Sequence, residues 1–290
     1  MSQVEREQRR EERRVTLNLL RNLTKREISA QYKRTALGRI WSLINPLAQI
    51  AVYSIVFGLL IQIPVAPGSN SGLELFPIWI GVGVIAWGAI SNSISAGMGS
   101  MLGNAGLLTK VYFPRSVLPI SAVLSSIFTF ATELLVLLAI MVVVGIAFVG
   151  GPMVLLYAPL LIPLLLLTMA FVLGIAMLLS VASIYFRDIV HLWSIVSQVW
   201  MYASGVMFSV QLVRDAQQRI AEDYGLELPL VTLFQLNPAE RFLTAYRNIL
   251  YDFAVPSWDV WVALVLWSVG SLVVGKLVFD RLARNIVEEI

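Results

Sequence analysis

The chain has 290 residues, 58% hydrophobic and 13% charged, with a net charge of +3 at pH 7. Soluble domains carry roughly 25% charged residues, so this composition points to a membrane, and the length suits one membrane domain with short flanks. With no Cys and a single His, disulfides, thiolate nucleophiles and Cys-based metal sites are excluded.

Residues 1–45 are predicted to be a cytoplasmic tail and a surface helix. The run 2–14 (SQVEREQRREERR) mixes both charges and reads as a solvated helix. Over 15–41, Leu19, Leu20 and Leu23 lie close together on a helical wheel, followed by Ile28, Tyr32 and Trp41. Lys25, Arg26, Lys33, Arg34 and Arg39 interleave, which predicts an amphipathic helix at the inner membrane surface. Its duty is either that of a positive-inside anchor or of a docking surface for a cytoplasmic partner.

Six apolar stretches follow, at 46–63, 76–101, 117–148, 153–181, 190–210 and 258–276. A membrane helix needs roughly 20 apolar residues, and in lipid each backbone polar group must be satisfied within its own segment. The predicted fold is therefore all-helical, with five spans inside 46–210 and a sixth at 258–276. Pro46 is expected to begin the first span, where its missing N–H costs little. Gly150-Gly151-Pro152 separates the third span from the fourth. Glu133 is the one ionisable side chain deep in these stretches, so it should face protein or water. It is expected either to be neutral or to hydrogen-bond to Gln49, Gln198 or a Ser/Thr of a neighbouring span, in a structural or gating contact.

Two connections, 102–116 (LGNAGLLTKVYFPRS) and 183–189 (SIYFRDI), mix apolar with basic residues. They are either ordinary loops or surfaces that receive force from a partner. The segment 211–257 is too long for a tight turn and too apolar for a plain loop. Within it Asn237-Pro238 predicts an N-cap followed by Pro at the first helical position. Phe242, Tyr246, Ile249, Leu250 and Phe253 then recur at helical spacing, with Arg241, Thr244, Arg247 and Asn248 on the other side. This predicts a short outer helix that dips back toward the membrane before the last span. Residues 277–290 form a second cytoplasmic tail. With both termini inside, 17 of the 21 Lys and Arg lie inside and 4 outside, which sets the orientation. No cleavable signal peptide is expected.

The string Gly103–Lys110 lacks the Gly-Lys-Ser/Thr ending of a phosphate-binding loop, so no ATP hydrolysis is expected from this chain. No paired membrane carboxylates and no His pair suggest proton relay, metal binding or catalysis.

The chain resembles the membrane subunit of the polysaccharide-exporting ABC transporters, the family of O-antigen, teichoic acid and capsule permeases. The resemblance rests on Gln31–Pro46 (QYKRTALGRIWSLINP), Leu108–Pro114 (LTKVYFP), Tyr185–Asp188 (YFRD) and Asn237-Pro238, in that order around the spans. The Trp-rich, Ala/Val-rich composition is similar to actinobacterial members whose comparable system exports a lipid-linked galactan. The resemblance implies a homodimer that pairs with two copies of a separate nucleotide-binding ATPase, where ATP and Mg reside. It implies an interface helix at the N-terminus. It assigns partner coupling to Leu107, Leu108, Lys110, Tyr112, Phe113, Pro114 and Arg115, with Tyr185, Phe186, Arg187 and Asp188 beside them. Asn237, Pro238, Phe242 and Tyr246 become gate residues, and the cargo is an undecaprenyl-pyrophosphate-linked glycan crossing the bacterial plasma membrane.

Aromatic rings suit stacking on sugars. Tyr53 and Phe57, Trp79 and Trp87, and Trp193 and Trp200 share helix faces and as a set are candidates for the glycan path; for any one of them core packing or an interface belt is the simpler explanation. Lys33, Arg34 and Arg39 either meet the pyrophosphate or serve only topology. An ABC permease for a drug or small lipid, and a membrane enzyme of glycan assembly, are the alternatives.

Overall fold

The structure, a computed structural model, describes residues 3–33, 38, 40–63, 65–108 and 113–283. Within them all regular structure is helical. A long first helix, α1 (Gln3–Tyr32), precedes α2 (Ile40–Tyr53), which continues as a π-helix over Ser54–Leu60. Next come α3 (Phe76–Gly99), a short α4 (Ala105–Leu108) and α5 (Val117–Val144), extended by a π-turn over Gly145–Val149. The chain proceeds through α6 (Val154–Tyr157), α7 (Leu161–Tyr185) and α8 (Ile189–Ala203). It closes with α9 (Val210–Tyr224), α10 (Leu230–Leu236), α11 (Pro238–Leu250) and α12 (Trp258–Leu282).

Five segments among the described residues are long and apolar enough to cross a membrane: Ile40–Leu60, Phe76–Gly99, Val117–Val149, Val154–Tyr185 and Trp258–Leu282. The stretch expected to span at 190–210 is not among them. There α8 holds 15 residues, about 22 Å at 1.5 Å per residue, against roughly 30 Å of hydrocarbon. It stops because Gly205 takes φ +66° and turns the chain. The position of Pro46 is also corrected: it lies inside α2, which begins at Ile40.

α1 runs unbroken through the mixed-charge run and the amphipathic stretch. Its predicted stripe holds: Leu23 is buried, and Leu19 and Leu20 pack with it against Met101, Leu108, Val117 and Phe279. The helix therefore lies across one end of the bundle, where α3, α5 and α12 finish or begin. Trp41, expected on the same helix, belongs to α2 and is exposed.

α3 is the central helix and buries residues from Phe76 to Met98. α7 and α12 form the tightest pair. A Cβ on Gly275 would meet the backbone of Gly174, and one on Gly174 would meet the Ser271 carbonyl. Ser268 Oγ donates to the Leu167 carbonyl (2.9 Å) and Ser271 Oγ to that of Phe171 (3.1 Å). In lipid, helices gain little from hydrophobic exclusion, so close backbone approach and such hydrogen bonds carry the association.

Candidate functional site

α11 determines the geometry of the bundle end opposite α1. Asn237 Oδ1 accepts from Ala239 N (3.1 Å), and Pro238 follows at the first helical position, where its missing N–H is harmless. The same amide ties α11 to the end of α8. Its Oδ1 accepts from Trp200 Nε1 (2.8 Å), and its Nδ2 donates to the Ala203 carbonyl (3.0 Å) and to Ser204 Oγ (3.1 Å).

From Asn237 the helix runs into the protein. Ala239, Phe242, Leu243, Ala245, Tyr246, Ile249 and Leu250 have no exposed surface. The sequence reading put Arg247 on the polar side, yet it is 8% exposed. Its Nη1 donates to the Gly205 carbonyl (2.9 Å) and Nη2 to that of Val206 (2.8 Å). These carbonyls are released where α8 ends, so a planar two-pronged donor satisfies groups that the broken helix cannot. The guanidinium also stacks over the Trp79 ring. Gly83 makes room: a Cβ there would reach Arg247 Nη2. Glu240 is likewise buried, with Oε1 accepting from Thr244 Oγ1 (2.8 Å) and Oε2 3.7 Å from Arg241 Nε. Arg241 reaches outward to Asp259 (3.2 Å).

Sequence reasoning missed Arg247 and Glu240. No local signal marked them: both fall on the polar arc Glu240, Arg241, Thr244, Arg247 and Asn248 of an amphipathic helix, which ordinarily faces solvent.

The loop before α3 clasps the far end of α11. Ser71 Oγ donates to the Tyr251 carbonyl (2.6 Å), Asn70 Nδ2 to that of Phe253 (2.7 Å), and Tyr251 Oη to that of Leu73 (2.5 Å). Burial pushes the Asp252 carboxyl above its usual range, opposed by the Ser69 backbone and the Arg247 guanidinium.

The aromatic residues gather inside the chain. Trp87 and Trp200 meet edge to face at 5.7 Å and Trp193 and Trp200 at 6.2 Å; Phe171 bridges Trp200 to Phe242 at 6.4 and 5.1 Å. Trp193 Nε1 donates to Ser95 Oγ (2.8 Å). Tyr246 shares a hydrogen bond with Thr168 Oγ1 (2.9 Å) and meets Phe130 edge to face at 5.6 Å. Trp79, Trp87 and Trp193 are buried and Trp200 half-buried, so most of their ring surface contacts protein. Tyr53 and Phe57, 6.1 Å apart, stand half-buried at the α2 edge of the same core.

The sequence profile described as ABC-2 type transporter matches residues 18–222. The chain belongs to the ABC-2 type transporter family. It is the membrane permease of such a transporter, a transport subunit without an ATPase domain. The permease is 27% identical over 273 residues to the O-antigen export system permease protein RfbA of Myxococcus xanthus, covering 94% of this chain and 95% of that one. It is 23% identical over 276 residues to an RfbA of Klebsiella pneumoniae, covering 93% and 94%.

At the α1 end of the permease, the two predicted coupling connections come together. Leu107, Leu108, Phe113 and Tyr185 join one apolar cluster with Leu23, Val117 and Phe279. Tyr185 Oη donates to the Leu282 carbonyl (3.1 Å), and Arg26 Nη2 donates to Asn104 Oδ1 (2.6 Å), tying α1 to the first connection. Phe186, Arg187, Asp188 and Pro114 are exposed and Arg115 half-buried. Lys110 and Tyr112 lie outside the described residues, as do Arg34 and Arg39; Lys33 is exposed. Among the described residues Glu133 makes no hydrogen bond to Gln49 or Gln198, and Ser42 and Ser93 of neighbouring helices share its chamber. It lines a small chamber between α3 and α5 with Gln31, Asn92, Ser93 and Thr129.

Proposed function

We propose that this permease exports a lipid-linked polysaccharide, carried on undecaprenyl pyrophosphate, across the bacterial plasma membrane. The observation that carries this reading is similarity over nearly the whole chain to O-antigen export permeases. Two copies would work with two copies of a separate nucleotide-binding ATPase, which binds the ATP and Mg. The bias of Lys and Arg supports an orientation with both termini and α1 in the cytoplasm.

In that orientation the exposed residues of 102–116 and 186–188 face the ATPase. Motion received there passes to α1 through Arg26 and Asn104, and to α12 through Tyr185. The helix α11, tied to the end of α8 by Asn237 and Arg247, stands at the opposite mouth and acts as the gate element. ATP binding on one side and cargo on the other then bias one equilibrium between closed and open bundles.

The test is depletion of the permease in its host, followed by location of the radiolabelled lipid-linked glycan. Full-length glycan trapped on the cytoplasmic leaflet, with surface polymer falling, is the expected result. Short or missing glycan would assign the chain to synthesis, and unchanged glycan would remove the polysaccharide cargo.

A further inference from the structure

A polar corridor enters the apolar bundle from the α1 end. Its wider part, about 450 Å³, is lined by Arg26, Gln31, Ser100, Asn104 and Ser125 among others. A second chamber of about 200 Å³ lies deeper and shares Gln31 with the first. α5 presents Ser126, Thr129, Phe130 and Glu133 to it, at i, i+3, i+4 and i+7, which is one face of a helix. α3 supplies Asn92 and Ser93, and opens the space by placing Gly88 and Ala89 one turn earlier.

Gln31 is held at the junction. Its Nε2 donates to Ser125 Oγ (3.3 Å), and its Oε1 accepts from Thr129 Oγ1 (3.2 Å). It is also the first residue of the string before the first span, one that neither the coupling nor the gate reading uses. Ser93 is 0% exposed, and its Oγ has no hydrogen-bond partner among the described residues. A buried hydroxyl without a partner, beside a carboxyl in mid-span, marks a site built for something polar.

From these groups we infer that the inner chamber is a binding site for one sugar ring of the cargo. The inference rests on the export reading above and names a subsite within it. The chamber's chemistry selects among ligands. Hydrocarbon would leave the Ser93 hydroxyl and the Glu133 carboxyl facing no polar group, so lipid chains are disfavoured. A phosphate would face Glu133, with no Lys or Arg among the described residues that line the inner chamber; Arg26 lines the outer part, where it already meets Glu27 and Asn104. A neutral polyol meets every group. Its hydroxyls donate to Glu133 and to the carbonyl oxygen of Asn92, and accept from the Asn92 amide and Ser93 Oγ. The half-enclosed shape and a few convergent polar groups are those of a small-ligand site, and the Phe130 ring offers an apolar wall to a C–H face.

The test places a photoreactive phenylalanine analogue at Ser126, in the intact transporter in its host. A matched probe at Val265, exposed on α12, serves as control. Cells are fed tritiated galactose in one arm and tritiated glycerol, to mark ordinary phospholipid, in the other. The expected result is sugar label on the Ser126 probe well above the Val265 level, with no such excess of glycerol label. Glu133→Gln should cut both that capture and surface polymer by about tenfold, the effect of losing one charge-assisted hydrogen bond. Asn92→Ala replaces it if the first variant does not accumulate. Glycan trapped inside on depletion, but no sugar label at Ser126, overturns the subsite and leaves the export reading standing. Equal sugar and glycerol capture makes the corridor a lipid cleft and also overturns it. Glycan unaffected by depletion removes the export reading, and the subsite with it.

Discussion

The guanidinium carbon of Arg247 lies 3.5 Å from the centroid of the Trp79 ring. Together with the two carbonyls of Gly205 and Val206, this ring surrounds a cation inside the bundle. Arg247→Met leaves both carbonyls unpaired and should cost about 3 kcal/mol, read as a lower melting temperature of the purified permease. Arg247→Lys should recover only part of that, because a point charge cannot serve two carbonyls as a planar fork does. Equal stability of the Lys variant and the parent would show that the fork geometry is irrelevant.

Asn237 and Trp200 form a second link between α8 and α11, and their coupling is measurable. Asn237→Ala removes the cap and three further contacts, at about 2 kcal/mol; Trp200→Phe removes one hydrogen bond and some packing, at about 1 kcal/mol. The double variant should cost less than the sum of the two. Strict additivity in thermal unfolding would mean that the indole and the amide act independently.

The α7–α12 contact separates two glycines on one helix. Gly275→Ala forces its Cβ into the backbone of Gly174, whereas Gly270 has open space beside it. Gly275→Ala should therefore lower both membrane yield and melting temperature, and Gly270→Ala should leave them within about 0.5 kcal/mol of the parent. The idea fails if the two variants behave alike.

Arg26 joins α1 to the first connection through Asn104, at a solvent-exposed position. Arg26→Ala should change global stability by less than about 1 kcal/mol. Amide exchange over 102–108 should nevertheless speed up, because local opening is set by local contacts. Unchanged exchange in that segment would show that the first connection is held without α1.

Local patterns were legible in the sequence and distant pairings were not. Leu19, Leu20 and Leu23 announced the buried stripe of α1, and Asn237-Pro238 announced the start of α11, because caps and stripes are written within a few residues. The end of α8 at Ala203 was not readable. Gly205 turns the chain there, but the donors that satisfy its carbonyl and that of Val206 come from Arg247, more than 40 positions later. Pro46 looked like a helix start because Pro is common there, but α2 already begins at Ile40. Glu133 could be identified as a residue needing polar company, while the identity of that company came from the packing of α3 on α5. The stripe Ser126, Thr129, Glu133 was present in the sequence all along, masked by the apolar residues between its members.

One feature of α2 sets a condition on any assembly. Neither α2 nor the π-helix that continues it has a buried residue, and Leu47, Val52, Ile55, Leu59 and Leu60 are each more than half exposed. In water such a surface would drive association by itself. Within a bilayer it is already solvated by acyl chains, so a helix docking there exchanges one hydrocarbon neighbour for another. Fit and the sparse polar atoms of this segment must then discriminate between a protein neighbour and the lipid.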